Sequence, residues 1–541
     1  MSEETTSSDG DTRRGSGDTG STSTNTSSRG TDVVTESLRH VVRGAAVVVV
    51  ATLIGVGLRV AGRAVFTRSF TPSEYGVFSV GFTLVSVFGV VASLGFRNGV
   101  TRQIAYYGAD SDGEEGEGEG EGEVGTVILW ALLLTGVSGS LVGAVLFMSS
   151  GFLAETLVGS PDHALAVGVV CLGVPFFALI RVSTAVFRGF SRTRERVVFH
   201  EILRNAGFPI LVVGVSAVGL SYVAGVGAYP VSLLLTAVLY LGYTVTDNPA
   251  GFSDRIGERL RDFETPRKLV VFSVPLMFSA ILMEVMTWMD ILMIGYFETA
   301  EDVGMYDAVR PLVRVVPVVW GSMIFMYTPL VSEFHAEGRN DAMRRVYFVL
   351  TKWFASATYP LIVVFVLFPE AVLGGVFGAE YTRAATALQI LSVAFFLGNI
   401  MGPNGATLTA IGKTRVVMWA NLGAFFVNLG LNVYLIPVYG LTGAAVATAA
   451  ALVIRNVARV VVLYYLTDAH SFKKPLVVPM GVSTALVLVG HRLIETGDGM
   501  DIDPMYLPVV LGAVVVVFLA SFVVTRNVSD DDRDVLLTLS F

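Results

Sequence analysis

Six arginines stand as three pairs inside long apolar runs: Arg59 with Arg63, Arg310 with Arg314, and Arg455 with Arg459. Four residues separate the members of each pair, so on a helix both guanidinium groups share one face. Like charges so placed repel by about 0.2–0.5 kcal/mol unless an anion lies between them. An arginine at the centre of a membrane helix costs about 2.5–3.5 kcal/mol on insertion scales, so each pair requires a partner or a wet cavity. The guanidinium fork matches phosphate oxygens, which makes a phosphate or pyrophosphate group the simplest shared partner. Snorkelling to a headgroup layer is the competing account, and it applies most to Arg63 and Arg459, nearer the ends of their runs.

Acids at the same depth are few. Glu284 and Asp290 fall in one apolar run and Asp307 at the start of the next. Glu284, at mid-run, needs a cation, a proton or an arginine: it either couples transport to an ion gradient, H+ or Na+, or neutralises Arg310 or Arg314. Asp290, a turn and a half farther on, reads as a structural or lip residue and is the second candidate for coupling or charge balance. His200 and Glu201 near Arg204 read as a local hydrogen-bonded cluster, and Trp288, Trp320, Trp353 and Trp419 as interfacial anchors. Six His and a single Cys, Cys171, supply too few soft ligands for zinc, disulfide or iron–sulfur chemistry. No catalytic residue, metal or cofactor is expected, and no Walker A sequence is present.

The elements that position these charges follow from composition. The 541 residues are 53% apolar and 15% charged, against about a quarter charged in soluble proteins, which excludes a soluble enzyme or a disordered hub. No nucleic-acid partner is expected. Mean hydropathy is +0.66. A bilayer core needs roughly 20 apolar residues per helix, and such runs occur near 44–66, 75–96, 124–148, 162–187, 197–220, 222–246, 268–297, 303–331, 346–368, 383–410, 414–436, 440–466, 474–491 and 505–525. An all-α polytopic membrane protein of about fourteen spans is predicted, with membrane lipid as its surroundings. With both termini cytoplasmic, roughly 26 of the 37 basic residues fall inside, about three outside and about eight within spans, as the positive-inside rule requires of a cell-membrane protein.

The chain divides into a polar tail at 1–43, predicted to be disordered, a six-helix lobe at 44–246, a cytoplasmic loop at 247–267, a second six-helix lobe at 268–466, and two further helices with a short tail at 467–541. An alternation of Glu and Gly at 114–123 reads as a solvated acidic loop. The lobes look like copies: Pro72-Ser73-Glu74-Tyr75-Gly76-Val77-Phe78 aligns with Glu301-Asp302-Val303-Gly304-Met305-Tyr306, Thr193-Arg194 with Thr414-Arg415, and Gly225-Val226-Gly227-Ala228 with Leu441-Thr442-Gly443-Ala444. Six spans per copy is an even number, so the repeat is parallel about an axis along the membrane normal and encloses a central cavity suited to alternating access. Pro175, Pro209, Pro275, Pro317, Pro360 and Pro403 offer places to bend.

From 268 to 466 the order of landmarks resembles the polysaccharide biosynthesis flippases of the multidrug/oligosaccharidyl-lipid/polysaccharide exporter superfamily. The matching residues are Phe272-Ser273-Val274-Pro275-Leu276, Asp290, Gly304-Met305-Tyr306, Pro329-Leu330-Val331-Ser332, Phe377-Gly378-Ala379-Glu380-Tyr381, Ala410-Ile411-Gly412-Lys413-Thr414, Asn428, Asn432 and Ile436 to Ala445. The first half adds Arg68, Pro72 to Phe78, Gly95-Phe96 and Arg102. The resemblance implies two six-helix lobes and a flippase that moves a polyprenyl-linked saccharide from the inner to the outer leaflet. It also implies a cationic cavity for phosphate and sugar, with glycosyltransferases of the same pathway as partners. Arg59, Arg310 and Arg314 are the leading phosphate ligands on the residue chemistry alone. A cation-coupled multidrug and toxin extrusion transporter is the nearest alternative, although twelve spans and buried carboxylates are typical there. A membrane glycan polymerase or ligase fits less well, because every outer loop here is short.

Overall fold

A computed structural model describes residues 54–110, 117–190, 199, 202–219, 221–247, 256–498 and 504–525. The described part of the first run forms a helix at 54–69 (α1), followed by α2 (Pro72–Ala92), α3 (Phe96–Asp110), α4 (Glu117–Met148), α5 (Ser150–Val158), α6 (Ala164–Cys171), α7 (Val174–Gly189), α8 (Arg204–Ala217) and α9 (Tyr222–Asp247). The second half holds α10 (Glu264–Phe297), α11 (Ala300–Val313), α12 (Val315–Ala336), α13 (Asn340–Leu367), α14 (Pro369–Val376), α15 (Ala385–Ile400), α16 (Asn404–Ala410), α17 (Thr414–Thr467), α18 (Lys474–Asp498) and α19 (Leu507–Val524). No strand occurs among the described residues. An all-helical chain is the physical consequence of a solvent that cannot satisfy backbone N–H and C=O groups.

Nine helical segments among the described residues are long and apolar enough to cross a membrane, and Lys474–Gly490 is a shorter apolar one. The number is smaller than fourteen for traceable reasons. The first run is described only from residue 54, and α8 has 14 residues. Gly440, at φ 56° and ψ −136°, breaks α17 where the expected spans 414–436 and 440–466 meet. The run 303–331 divides at Arg314 into α11 and α12. Pro317 lacks the N–H that would bond the Val313 carbonyl, which explains a joint at this place. The acidic stretch is a correction: Glu117 to Glu123 open α4 instead of forming a loop, while 114–116 lie outside the described residues. Glutamate is a good helix former and is favoured in a first turn by the helix dipole. The segment after Leu94, read as part of a connection, is the helix α3.

The repeat is written into the packing of α2 against α11. Thr71 caps α2 and forms a capping box with Glu74, and Thr299 caps α11 with a box to Asp302. Gly76 and Gly304 are counterparts in the same register, and so are Ser79 and Asp307, 228 residues apart. The two glycines face each other's helix. A Cβ on Gly76 would lie 1.6 Å from the Ala300 carbonyl oxygen, and one on Gly304 would lie 2.2 Å from that of Pro72. Backbone therefore meets backbone at a crossing that admits no side chain. Beside it an aromatic stack fills the N-terminal bundle, with the Phe66 and Phe78 rings 4.9 Å apart and Phe78 parallel to Phe208 at 5.2 Å. Around Arg68, hydrogen bonds to the carbonyls of Gly375 and Val376 tie the end of α1 to the end of α14, and Arg383 pairs with Glu301 at 2.7 Å. At this end the two halves are in direct contact.

Gly304→Val is expected to lower the thermal midpoint of the purified protein, by roughly the 1–3 kcal/mol of an overpacked contact. Gly214→Ala, where a Cβ meets nothing within 4 Å, serves as the control and should leave the midpoint unchanged in the same fluorescence melt.

Candidate functional site

Asp307 is 1% exposed and joins α1, α2 and α11. The Tyr75 and Ser79 hydroxyls each donate to its carboxylate at 3.0 Å. Arg63 Nη1 lies 3.3 Å from the same oxygen and also donates to the Asp307 backbone carbonyl at 3.1 Å. Arg310, one turn along α11, reaches the other carboxylate oxygen at 3.4 Å. One buried carboxylate thus serves two guanidinium groups and two hydroxyls. Its charge is compensated and its lone pairs are used, which is what a desolvated ion requires.

Arg310 is not exhausted by this pairing. Its Nη2 donates to the Thr287 carbonyl at 2.6 Å, and its guanidinium carbon sits 4.0 Å from the centre of the Trp288 ring. Arg314 lies along the same ring at 5.5 Å, with Nη2 3.5 Å from the same carbonyl. Trp288, expected as an interfacial anchor, is buried here and donates its indole N–H to Glu284 at 2.9 Å. Glu284 pairs with Arg181 of α7 at 3.6 Å, so its arginine partner is neither Arg310 nor Arg314. The reason is competition: Asp307 sits next to Arg310 on α11, whereas Arg181 projects at Glu284 from the facing bundle. Arg181 belongs to none of the three pairs, yet it carries the same signal, an arginine inside an apolar run.

Arg310, Arg314 and Arg455 line a cavity of about 400 Å³ together with Asp290, Asn421 and Asn428. Its walls come from α10, α11, α15 and α17, so it lies within the C-terminal bundle and not between two symmetric halves. Asp290 is the one acid among the lining residues and is fully engaged: it accepts from Tyr306 at 3.1 Å, Asn432 at 3.0 Å and Thr448 at 2.7 Å. Asn428 donates in turn to Thr448 at 3.2 Å. All of these donors are neutral. Arg459, one turn beyond Arg455, donates to Asn421 at 2.5 Å.

Arg59 stands apart. Four residues before Arg63, it was expected on the same face, yet Arg63 turns inward and Arg59 is exposed and lines none of the cavities described here. His200 and Glu201 lie outside the described residues. Sequence reasoning missed Tyr75 and Ser79 as ligands of Asp307. Tyr75 belongs to a repeated landmark, but nothing in a lone serine marks it as the partner of a carboxylate on a distant helix.

On the other side, Leu312 of α11 and Val315 at the start of α12 line an apolar groove of about 890 Å³ with Val60 and Ala64 of α1, Val364 of α13 and Leu511 of α19. Around the joint of α11 and α12, Arg310 and Arg314 therefore face a cavity of mixed polar and apolar lining while Leu312 and Val315 face an apolar groove.

A family model described as polysaccharide biosynthesis protein matches residues 41–335. The chain belongs to this family. A second model, described as MatE, matches residues 275–434. The chain is 25% identical over 430 residues to the probable low-salt glycan biosynthesis flippase Agl15 of Haloferax volcanii, covering 78% of this chain and 83% of that one. It is 22% identical over 389 residues to a putative O-antigen transporter of Shigella flexneri, covering 70% and 87%. Among solved structures, the fold matches the lipid II flippase MurJ in an inward closed conformation, with a TM-score of 0.65 at 13% identity over 88% of this chain and 98% of that one. It also matches an inward-facing multidrug resistance transporter of the MATE family, with a TM-score of 0.63 at 15% identity over 76% and 95%. Family and fold agree on a multi-pass membrane protein, as the resemblance of the landmarks implies.

Removing Asp307 leaves two buried guanidinium groups without their carboxylate. Asp307→Asn should destabilise the protein by about 3–5 kcal/mol, the cost of breaking a buried pair from one side. A double-mutant cycle with Arg63→Gln, read by thermal melts, should recover part of that loss; strict additivity would contradict the pairing.

Proposed function

We propose that this chain is a flippase that carries a polyprenyl-(pyro)phosphate-linked saccharide from the cytoplasmic to the outer leaflet of the cell membrane, with both termini cytoplasmic. The observation that carries the reading is the division around the end of α11, with Arg310 and Arg314 on a cavity and Leu312 and Val315 on an apolar groove. A lipid-linked sugar is divided in the same way. Its phosphate would sit at Arg310 and Arg314, its saccharide in the polar cavity and its tail along the groove, so neither end leaves a medium that suits it. The relatives named as a glycan biosynthesis flippase and an O-antigen transporter support this assignment.

Arg310 links binding to gating. It holds Asp307 at 3.4 Å while facing the cavity, so a phosphate arriving there competes for the guanidinium that Asp307 uses. Asp307 in turn receives Tyr75 and Ser79 from α2. Cargo at Arg310 would thus change the charge that Asp307 shares with α1 and α2, coupling the cavity to the α2–α11 crossing that alternating access would have to rearrange. The reaction makes and breaks no covalent bond, so the chain acts as a transporter and not an enzyme. Glycosyltransferases that build the saccharide on the inner face would supply the cargo.

Asp290 is the better placed coupling residue. Its carboxylate gathers Tyr306, Thr448 and Asn432, and the side-chain oxygen of Asn432 is buried without a partner. An oxygen-rich group with no cation of its own suits a proton or Na+. Glu284, already paired with Arg181, balances charge between the bundles. Extrusion of cationic drugs is the second reading, favoured by the MatE match and by Asp290. The excess of arginine in the cavity weighs against it.

In a deletion strain, lipid-linked saccharide should accumulate facing the cytoplasm, as scored by leaflet-resolved labelling. Wild-type protein should clear the build-up, and Arg310→Gln should not, although it inserts normally. Unaltered precursors together with new drug sensitivity would instead indicate the multidrug reading. Asp290→Asn should leave cargo binding within about twofold while abolishing the dependence of transport in proteoliposomes on an imposed H+ or Na+ gradient. Retention of that dependence would remove Asp290 from the coupling role.

A further inference from the structure

A second cavity, about 330 Å³, lies against the first and is lined by Asn399, Asn404, Arg455, Asn456 and Arg459. Arg455 borders both cavities. No acidic residue lines the second one among the described residues. Asn404 donates to the Asn456 side-chain carbonyl at 3.2 Å, giving a wall of amide edges. Small residues make the room: a Cβ on Gly405 would come within 3.0 Å of Arg459, and one on Gly398 within 3.1 Å of Asn456.

The two arginines here are under-used. Arg455 makes no hydrogen bond or ion pair with any described residue, and its Nε is buried without a partner. Arg459 spends one nitrogen on Asn421, and its Nε is also buried and unpartnered. A guanidinium desolvated in this way is costly unless an anion reaches it. Arg63 and Arg310 have Asp307, and Arg181 has Glu284; Arg455 has nothing comparable.

We propose that this cavity is a specificity subsite for an acidic sugar within the carried saccharide, one bearing a carboxylate, sulfate or phosphate. The inference rests on the flippase reading and adds the class of glycan. With the tail in the groove beside Leu312 and the lipid phosphate at Arg310 and Arg314, the saccharide extends through the first cavity toward Arg455. The guanidinium groups of Arg455 and Arg459 then take the sugar's anionic substituent, and the asparagine amides take its hydroxyls. A neutral hexose would meet the asparagines but leave the arginines uncompensated. The two phosphates of a pyrophosphate share one bridging oxygen, so the second of them stays beside the first.

The test uses full-length protein in lipid nanodiscs and two synthetic polyprenyl-phosphate disaccharides that differ only in the distal sugar, glucose or glucuronate. Wild-type protein should bind the glucuronate probe roughly tenfold more tightly, the worth of one charge-assisted contact. In Arg455→Gln/Arg459→Gln that ratio should fall to about one, and Arg455→Lys/Arg459→Lys should restore part of it. Equal binding of the two probes by wild-type protein overturns the subsite and leaves the flippase reading standing. A ratio that survives the double glutamine variant, with both probes weakened together, shows that the pair holds the lipid phosphate and likewise overturns it. Failure of wild-type protein to bind either probe overturns both proposals.

Discussion

A guanidinium group taken out of water must be met by something, and the arrangement of this protein follows from how each arginine is met. Arg63 and Arg310 share Asp307, Arg181 takes Glu284, and Arg310 and Arg314 spread their remaining charge over Trp288 and a backbone carbonyl. Each solution joins different helices, so the charges are fasteners as well as sites. Arg455 is the exception: it has no hydrogen-bond or ion-pair partner among the described residues, and with Arg310 and Arg314 it lines a cavity whose one acid already accepts three hydrogen bonds. Buried ion pairs add little to stability compared with well-packed apolar groups. Their persistence at this depth speaks for charge handling.

Duplication explains where the fasteners sit. The same capping box opens α2 and α11, and the same glycine follows it, so the two helices meet about a local axis with backbone against backbone. One turn further on, the copies differ: Ser79 in one, Asp307 in the other, 3.0 Å apart. A symmetric contact made of two serines would be neutral, and one made of two aspartates would repel. With one of each, the hydroxyl donates to the carboxylate and the crossing acquires a charge that the arginines can hold. Divergence at a single repeat position thus turned a packing contact into a polar node.

Much of this was legible in the sequence because membrane helices announce themselves by length and apolarity. The expected runs 222–246 and 505–525 correspond to Tyr222–Asp247 and Leu507–Val524, and the arginines were visible as charges where charge is expensive. What escaped were features set by tertiary register. Arg59 and Arg63 share a helix face by spacing, yet neighbouring helices bury one and not the other. Trp288 looks like any interfacial tryptophan until the fold brings Arg310 over its ring. The joint at Arg314 is a local backbone event inside the expected run 303–331, whereas the break at Gly440 falls where the expected spans 414–436 and 440–466 meet. The acidic stretch before α4 misled in the opposite sense, since Glu and Gly in alternation suggest a loop by composition while the dipole of the following helix favours glutamate in its first turn.

The asymmetry between the bundles bears on the direction of transport. Of the arginines paired at four-residue spacing, four belong to the C-terminal bundle and two, Arg59 and Arg63, to the N-terminal one, which outside the pairs also places Arg97 and Arg204 near Arg181. The C-terminal cavity is lined by Arg310, Arg314 and Arg455, and the one acid in its lining already accepts three hydrogen bonds. Binding there does not pull the bundles together through new ion pairs. On the proposed reading it competes for Arg310, which belongs both to the cavity and to the node, while the contacts that join the bundles there are those of Asp307 with Arg63, Tyr75 and Ser79.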